Sequence, residues 1–215
     1  MLHTRLPADC PWDAHRKLLR AAGSGNVARV RELAALGTDV TEKDADGWRW
    51  TALHVAAQNG HVEVARALVA LGADKDAHDD ELGATPLHLA AQNGHVEVAR
   101  ALIALGADRE AQGANGWRPL HAAAAFGRVP MMKALVLLGV QLNAKTAAGA
   151  TAHTISLLRG HQRVARVLEA AAQSGAQRQH NQHLWRARAR RAAPAAPPQP
   201  PALVTTSDNA TFSSI

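Results

Sequence analysis

Residues 56–77 read AAQNGHVEVARALVALGADKDA, and residues 90–111 read AAQNGHVEVARALIALGADREA. The two segments differ at only three positions, which are Val69/Ile103, Lys75/Arg109 and Asp76/Glu110. Each follows a similar tetrapeptide, Thr51-Ala52-Leu53-His54 in one case and Thr85-Pro86-Leu87-His88 in the other. A near-copy at a spacing of 34 residues indicates an internal repeat. Repeats of this period are typical of stacked solenoids rather than of domains with one closed core.

Weaker copies continue the pattern on both sides. The stretch that begins at Arg118-Pro119-Leu120-His121 lies 33 residues further along the chain, and the one that begins at Thr151 follows after another 33. Upstream, residues 18–37 match the first copy at an offset of 35. We therefore predict five repeats, at about residues 13–46, 47–80, 81–113, 114–146 and 147–172.

The repeat resembles the ankyrin repeat, which has a period of about 33 residues and a T-P-L-H-x-A signature. The resemblance extends over residues 13–172. It implies an all-α solenoid of stacked helix-turn-helix units, joined by finger loops that are similar to β-hairpins. It also implies a protein that binds other proteins through these fingers and through the outward edge of each first helix.

Several residues suit structural positions within a repeat. A threonine before the first helix is a good N-cap, a proline is tolerated at the first helical position, and a glycine favours the left-handed end of a helix. The resemblance implies that the histidine of the signature makes structural hydrogen bonds at the turn. The predicted structural set is Thr51, His54, Gly60, Thr85, Pro86, His88, Gly94, Pro119, His121 and Gly127.

The sequence contains no motif that indicates an enzyme. The chain has twelve histidines, but successive signature histidines in packed helices would lie about 8–10 Å apart, too far to share a zinc ion. A single cysteine, Cys10, provides no disulfide framework. We find no phosphate loop, nucleophile elbow or carboxylate pair, no apolar stretch of membrane-spanning length, and no leader peptide before the repeats. We therefore expect a non-enzymatic intracellular protein, cytoplasmic or nuclear, without metal, cofactor, small-molecule substrate or membrane insertion.

The positions at which the repeats differ are the candidates for partner binding. The first two fingers are longer than the later ones, and tryptophans lie in fingers one and three. Tryptophan and arginine dominate binding hot spots, although the tryptophans of finger one could instead fold down and staple that longer loop. The predicted binding set is Asp44, Asp46, Trp48, Arg49, Trp50, Gln58, Asn59, Asp79, Asp80, Glu81, Gln92, Asn93, Asn115, Trp117 and Phe126.

Charge is distributed unevenly along the repeats. Residues 39–81 carry ten acids against four bases, whereas residues 82–172 carry nine bases against four acids. Such asymmetry selects partners and steers their encounter. One hypothesis is that a basic segment docks at Asp44, Asp46, Asp79, Asp80 and Glu81; the alternative is that these acids only solvate exposed loops. We do not expect the repeats to bind nucleic acid, because the excess of basic charge lies mainly in the tail and no aromatic platform accompanies it.

Residues 1–12 are predicted to form an N-terminal flank, and residues 173–215 a disordered tail. The tail is first basic and then rich in proline and alanine, and it lacks the apolar residues needed to fold alone. Three short motifs lie in it: the basic run at residues 186–191, an R-x-x-P-x-x-P pattern for SH3 domains at 191–197, and a PDZ-like C-terminus at 213–215.

Two functions remain open at this point. The first is a non-enzymatic scaffold or adaptor that binds a protein partner through its fingers and the edges of its first helices. The alternative is a regulatory factor driven by the tail and acting in the nucleus, with the repeats as an assembly surface.

Overall fold

The structure is a computed structural model that describes residues 11–44 and 49–174. Its helices follow one another in pairs. They are α1 (Pro11–Gly23), α2 (Val27–Ala35), α3 (Ala52–Asn59), α4 (Val62–Ala70), α5 (Pro86–Asn93), α6 (Val96–Ala104), α7 (Pro119–Ala125), α8 (Val129–Leu137), α9 (Ala152–Leu158) and α10 (162–174). A single 3₁₀ turn, Ala114–Gly116, precedes α7.

The helices form two layers. In the odd-numbered layer α1 packs on α3, α3 on α5, α5 on α7 and α7 on α9, and in the even-numbered layer α2 packs on α4, α4 on α6 and α6 on α8. The two helices of a repeat also pack on each other, as α3 does on α4. Each repeat therefore contacts its sequence neighbours, and the predicted all-α solenoid is confirmed.

Local sequence explains where the odd-numbered helices begin and end. Thr51 lies at the N-cap of α3 with extended backbone, and its hydroxyl accepts from the amide of His54. Pro86 occupies the first turn of α5, where its missing N–H leaves no hydrogen bond unmade. Gly60 closes α3 in the left-handed conformation, with φ of 82°, which a residue with a side chain adopts only at a cost.

Equivalent positions in the repeats supply the hydrophobic core. Repeats two to four each contribute one leucine from the first helix and one from the second, and all are buried. These leucines are Leu53, Leu87 and Leu120 from the odd-numbered layer and Leu68, Leu102 and Leu135 from the even-numbered layer. Fully burying one such side chain contributes about 1.5–3 kcal/mol. Buried alanines such as Ala56 and Ala90 have small side chains, so neighbouring helices approach closely.

Two boundaries differ slightly from those predicted. Helix α1 begins at Pro11, inside the predicted flank, and α10 continues to residue 174, inside the predicted tail. Both differences are within the usual uncertainty of helix ends. The three tail motifs lie outside the described residues.

Candidate protein-binding surface

The four finger loops are closed in the same way, by one main-chain hydrogen bond across the base. The N–H groups of Asp44, Asp79, Gly113 and Thr146 donate to the carbonyls of Trp50, Ala84, Trp117 and Ala150, at 2.8, 2.9, 2.7 and 2.9 Å. Within the described residues the only ladder-type pairing is an isolated antiparallel bridge between Lys145 and Thr151. The fingers are therefore hairpin-like loops rather than strands of a sheet.

A first set of histidines connects each of the helices α3, α5 and α7 to the next finger. The Nε2 atoms of His54, His88 and His121 lie 3.1, 3.1 and 3.0 Å from the carbonyl oxygens of Ala84, Trp117 and Ala144. Their Nδ1 atoms accept the amides of Thr51, Thr85 and Arg118 at 3.2, 3.1 and 3.0 Å. Because a carbonyl can only accept, each ring carries its proton on Nε2.

These three histidines are held neutral. Burial lowers the pKa of all three, and it lowers the pKa of His88 to about 4. The charged form would lose its hydration inside the stack, and the hydrogen bond to the carbonyl only partly offsets that loss. The imidazoles therefore serve as fixed connectors at neutral pH.

A second set of histidines connects the repeats in the opposite direction. The Nε2 atoms of His61, His95 and His161 lie 2.9, 2.9 and 3.0 Å from the carbonyls of Gly23, Gln58 and Ala125 in the preceding repeat. In the fourth repeat Arg128 replaces the histidine, and its Nε donates to Gln92 at 2.9 Å. Each of these three histidines directly follows a glycine in the sequence, but only the structure reveals the bond to the preceding repeat.

Fingers one and two are joined by a cluster that we call the finger clamp: Lys43, Arg49, Trp50, Asp79 and Asp80. Lys43 Nζ and Arg49 Nε lie 2.5 and 2.7 Å from the carboxylate of Asp80. The hydrogen bond from Lys43, with Arg49 beside it, lowers the pKa of Asp80. The indole N–H of Trp50 points to Asp79 Oδ2 at 3.4 Å.

Asp79 is a structural residue of finger two. Its side chain is only 4% exposed, and its Oδ1 accepts the amides of Leu82 and Ala84 at 2.8 and 3.0 Å. This differs from the prediction that Asp79 faces a partner, because its carboxylate already satisfies amides that the tight loop leaves without partners. The contact between Trp50 and Asp79 likewise favours the staple interpretation for Trp50.

The remaining predicted residues of fingers one and two have different surroundings. Asp80 is half exposed but is already paired with two cations. Glu81 is exposed, and Asp44 is half-buried at the base of finger one. Asp46 and Trp48 lie outside the described residues. Of the five acids proposed to receive a basic segment, one is thus buried and one is neutralised within the chain.

A concavity, which we call the concave groove, lies between fingers two and three and helices α5 and α7. Its volume is about 310 Å³. Four residues of the predicted binding set line it: Gln92, Asn115, Trp117 and Phe126. Leu82 also lines it, although sequence analysis did not single this residue out. In the sequence, Leu82 could have been recognised as an apolar residue among the polar residues of finger two.

The walls of the groove are held firmly. The amide of Ala114 donates to the carbonyl of Leu82 at 2.6 Å, so the two fingers are in direct main-chain contact. A Cβ atom added at Gly113 would lie 3.0 Å from that same carbonyl oxygen, which explains the glycine. Trp117 packs against the core and edge-on to His121, with ring centroids 6.2 Å apart.

The other predicted residues, Gln58, Asn59 and Asn93, lie at the ends of α3 and α5. Asn59 and Asn93 donate through Nδ2 to the carbonyls of Val55 and Leu89, at 2.8 and 3.0 Å. Their Oδ1 atoms are thereby fixed in place as acceptors. Gln92, which precedes Asn93 at the end of α5, also lines the concave groove.

Within residues 11–44 and 49–174, no three histidine, cysteine or acidic side chains converge as a metal site. No helix in that part of the chain is both long enough and apolar enough to cross a membrane. The concave groove therefore provides an apolar recess with polar residues beside it.

Comparison with known proteins agrees with this geometry. Family models described as "Ankyrin repeats (3 copies)" and "Ankyrin repeat" match residues 18–113 and 115–144. The chain is 47% identical over 64 residues to protein phosphatase 1 regulatory subunit 27 of Mus musculus and of Homo sapiens, which is 30% of this chain and 40% of each relative. It is 39% identical over 69 residues to the 2-5A-dependent ribonuclease of Mus musculus, which is 32% of this chain and 9% of that protein.

The chain therefore spans less than half the length of the curated relatives it matches. These relatives include a regulatory subunit and an enzyme, and each match covers 64 or 69 residues of this chain. Ankyrin repeats are not themselves catalytic, and they bind other proteins. From the stacked helix pairs, the finger loops and the two family matches, we conclude that the chain belongs to the ankyrin-repeat family.

Proposed function

We propose that this protein is a non-enzymatic scaffold or adaptor whose concave groove receives a bulky apolar side chain from a partner protein. One observation carries the proposal. Leu82 and Phe126, which are 53% and 48% exposed, line the same groove together with Trp117. Large apolar side chains gathered in one recess mark interaction sites more often than single exposed ones do.

The chemistry of the groove suits a polypeptide segment. Aromatic side chains in a central recess with a polar rim are the usual composition of a binding hot spot. Gln92 and Asn115 lie on the rim, where their amides can bond to the main chain of a bound segment. Glu81, exposed next to Leu82, is available to a basic residue of that segment.

Rigidity of the walls supports the same function. His54, His88 and the contact between Ala114 and Leu82 hold fingers two and three before a partner arrives. A preorganised surface loses less conformational entropy on binding. The finger clamp extends this support to finger one.

A matched pair of leucine substitutions tests the proposal. Leu82→Asp places a charge in the groove, whereas Leu137→Asp makes the same change at a leucine that is 81% exposed at the end of α8, away from the groove. Full-length variants would be used to capture proteins from cells, and the bound proteins would be quantified by mass spectrometry. We expect Leu82→Asp and Phe126→Ala to lose partners that Leu137→Asp retains. Equal recovery by all three variants would contradict the proposal.

Protein phosphatase 1 is the first partner to test. The observation that favours it is the 47% identity to two proteins named as its regulatory subunits. Biolayer interferometry with purified phosphatase catalytic subunit would measure binding directly. If the wild type binds and Leu82→Asp does not, the phosphatase is a partner of the groove. If neither binds while the captured partners still depend on Leu82, the adaptor function stands and the phosphatase is excluded.

A further inference from the structure

The exposed faces of α8 and α10 carry basic side chains that lack the acidic neighbours found on the earlier helices. In α4, Glu63 pairs with Arg66 at 4.0 Å, and in α6, Glu97 pairs with Arg100 at 3.9 Å. Both are pairs at positions i and i+3 on the outward side of a helix. They neutralise the outer surface of repeats two and three.

The fourth and fifth repeats break this pairing. The glutamate position is occupied by Pro130 in α8 and by Arg163 in α10, while the arginine position keeps a cation, Lys133 or Arg166. Lys133, Arg163 and Arg166 are exposed, and none has an ion-pair partner among the described residues. We call these three residues, with Arg128 and Arg159, the basic face.

Repeats four and five are in contact where α8 and α10 begin. His161, at the start of α10, lies 3.0 Å from the carbonyl of Ala125 in repeat four, and its ring covers Gly127. A cleft of about 340 Å³ lies between the starts of α8 and α10. Val129 lines it on one side and Arg163 on the other.

No acid within the repeats offsets these charges. Residues 127–172 hold six lysines and arginines against one carboxylate, Glu169. Glu169 is bonded to His153 at 2.9 Å. Like charges spaced three residues apart on a helix, such as Arg163 and Arg166, are mildly destabilising. Charges that contribute nothing to the fold serve recognition when a partner brings the opposite charge.

We propose that the basic face binds an acidic segment of a partner polypeptide, at a site separate from the concave groove. The groove is built from fingers two and three with α5 and α7, whereas the basic face lies on α8, α10 and the C-terminal end of α9, so the two sites share no residue and can be occupied at once. A polypeptide is favoured over nucleic acid because residues 127–174 contain no phenylalanine, tyrosine or tryptophan. Single-stranded nucleic acid binding relies on such rings for stacking.

The repeats themselves supply a matched test. Lys133→Gln with Arg166→Gln removes two positive charges from the basic face, and Arg66→Gln with Arg100→Gln removes two from the equivalent positions of α4 and α6. Binding of a fluorescein-labelled deca-glutamate peptide to each full-length variant would be followed by anisotropy at low salt. We expect about fivefold weaker binding for the first variant and less than about twofold for the second. Equal losses in the two variants would overturn the proposal.

A second variant controls for folding and for background binding. Arg163→Glu recreates the pair seen at Glu63 and Arg66, so we expect unchanged or slightly higher thermal stability together with weaker peptide binding. The arginine run at residues 186–191 is present in every variant, so its contribution cancels in each comparison. Wild-type affinity in a folded Arg163→Glu protein would contradict the proposal.

Two further readouts identify the site and the class of partner. Peptide binding should slow hydrogen exchange in residues 128–137 and 159–166 of the wild type, and protection confined to other segments would place the peptide elsewhere. A labelled single-stranded DNA oligonucleotide is the competing probe. If it binds more tightly than the peptide and depends on Lys133 and Arg166, the assignment to an acidic polypeptide is wrong.

Discussion

At the scale of single residues, two sets of histidines join the repeats in opposite directions. His88 bonds forward to finger three, and His95 in the same repeat bonds back to the end of α3. The boundary between repeats two and three is therefore crossed by two imidazoles, those of His54 and His95, and at the next boundary Arg128 takes the place of the second histidine. Because a neutral ring can donate and accept at once, histidine serves both the N-cap amide and the carbonyl of the next finger.

Acid should weaken the fold through the buried histidines. The pKa of His88 is about 4 in the folded protein, below its ordinary value of 6.5, so the unfolded chain binds a proton first as pH falls. The stabilisation is complete above pH 6.5 and is lost as the pH drops toward 4, by about 2–3 kcal/mol for this residue. Urea unfolding at a series of pH values measures it. His88→Gln should be less stable at pH 7 and should show a flatter pH profile, whereas an unchanged profile would contradict the prediction.

Glycines with positive φ at the helix ends should tolerate alanine poorly, and for two separable reasons. Gly60 has φ of 82°, and an added Cβ would lie 2.6 Å from the ring of His95; Gly72 has φ of 95° with nothing within 4 Å. Gly72→Ala should cost about 1–2 kcal/mol from backbone strain alone. Gly60→Ala should cost more, because the ring of His95 must also move. Chemical denaturation of both variants gives the comparison, and equal losses would show that the ring does not restrict this position.

At the scale of the elements, the differences between the two near-identical segments fall largely on contacts between repeats. Asp76 accepts the amide of Asp108 at 2.8 Å, and Glu110, at the equivalent position one repeat later, accepts the amide of Gln141 at 2.7 Å. Glu110 also pairs with Arg118 at 2.7 Å. A longer carboxylate therefore keeps the same contact and adds a second one.

Finger two should depend on Asp79 and not on the neighbouring exposed acid. Asp79→Ala leaves the amides of Leu82 and Ala84 without their acceptor and should destabilise the protein by about 1–3 kcal/mol. Hydrogen exchange of these two amides should become faster. Glu81→Ala is the matched control, and we expect stability within about 0.5 kcal/mol of wild type. If the two variants behave alike, the role given to Asp79 is incorrect.

At the scale of the whole molecule, the fifth repeat differs from those before it. Thr154 stands where repeats two to four have histidine, and its hydroxyl accepts the Thr151 amide at 2.9 Å without reaching forward to a further finger. His153 replaces the core leucine and pairs with Glu169. In a one-dimensional stack, a repeat with one neighbour gains only one interface.

We therefore expect unfolding to begin at the fifth repeat. Native-state hydrogen exchange should give lower free energies of opening for α9 and residues 162–168 than for α3 and α5. Equal protection across these helices would show instead that the solenoid opens as one unit. Thr154→His serves as a control, because it restores the signature residue without supplying a next finger and should leave the order of opening unchanged.

The sequence by itself determined the solenoid, because the period of 33–35 residues and the paired apolar positions repeat along the chain and each repeat is a local unit. It also indicated Gln92, Asn115, Trp117 and Phe126 as candidate binding residues, and all four line the concave groove. Only the tertiary structure brought Leu82 beside them, buried Asp79 and set Asp80 between Lys43 and Arg49. These contacts join different fingers, and their partners lie about 30–40 residues apart. A repeat pattern specifies which residues recur, whereas the side chains that meet across a boundary depend on how two unlike fingers pack.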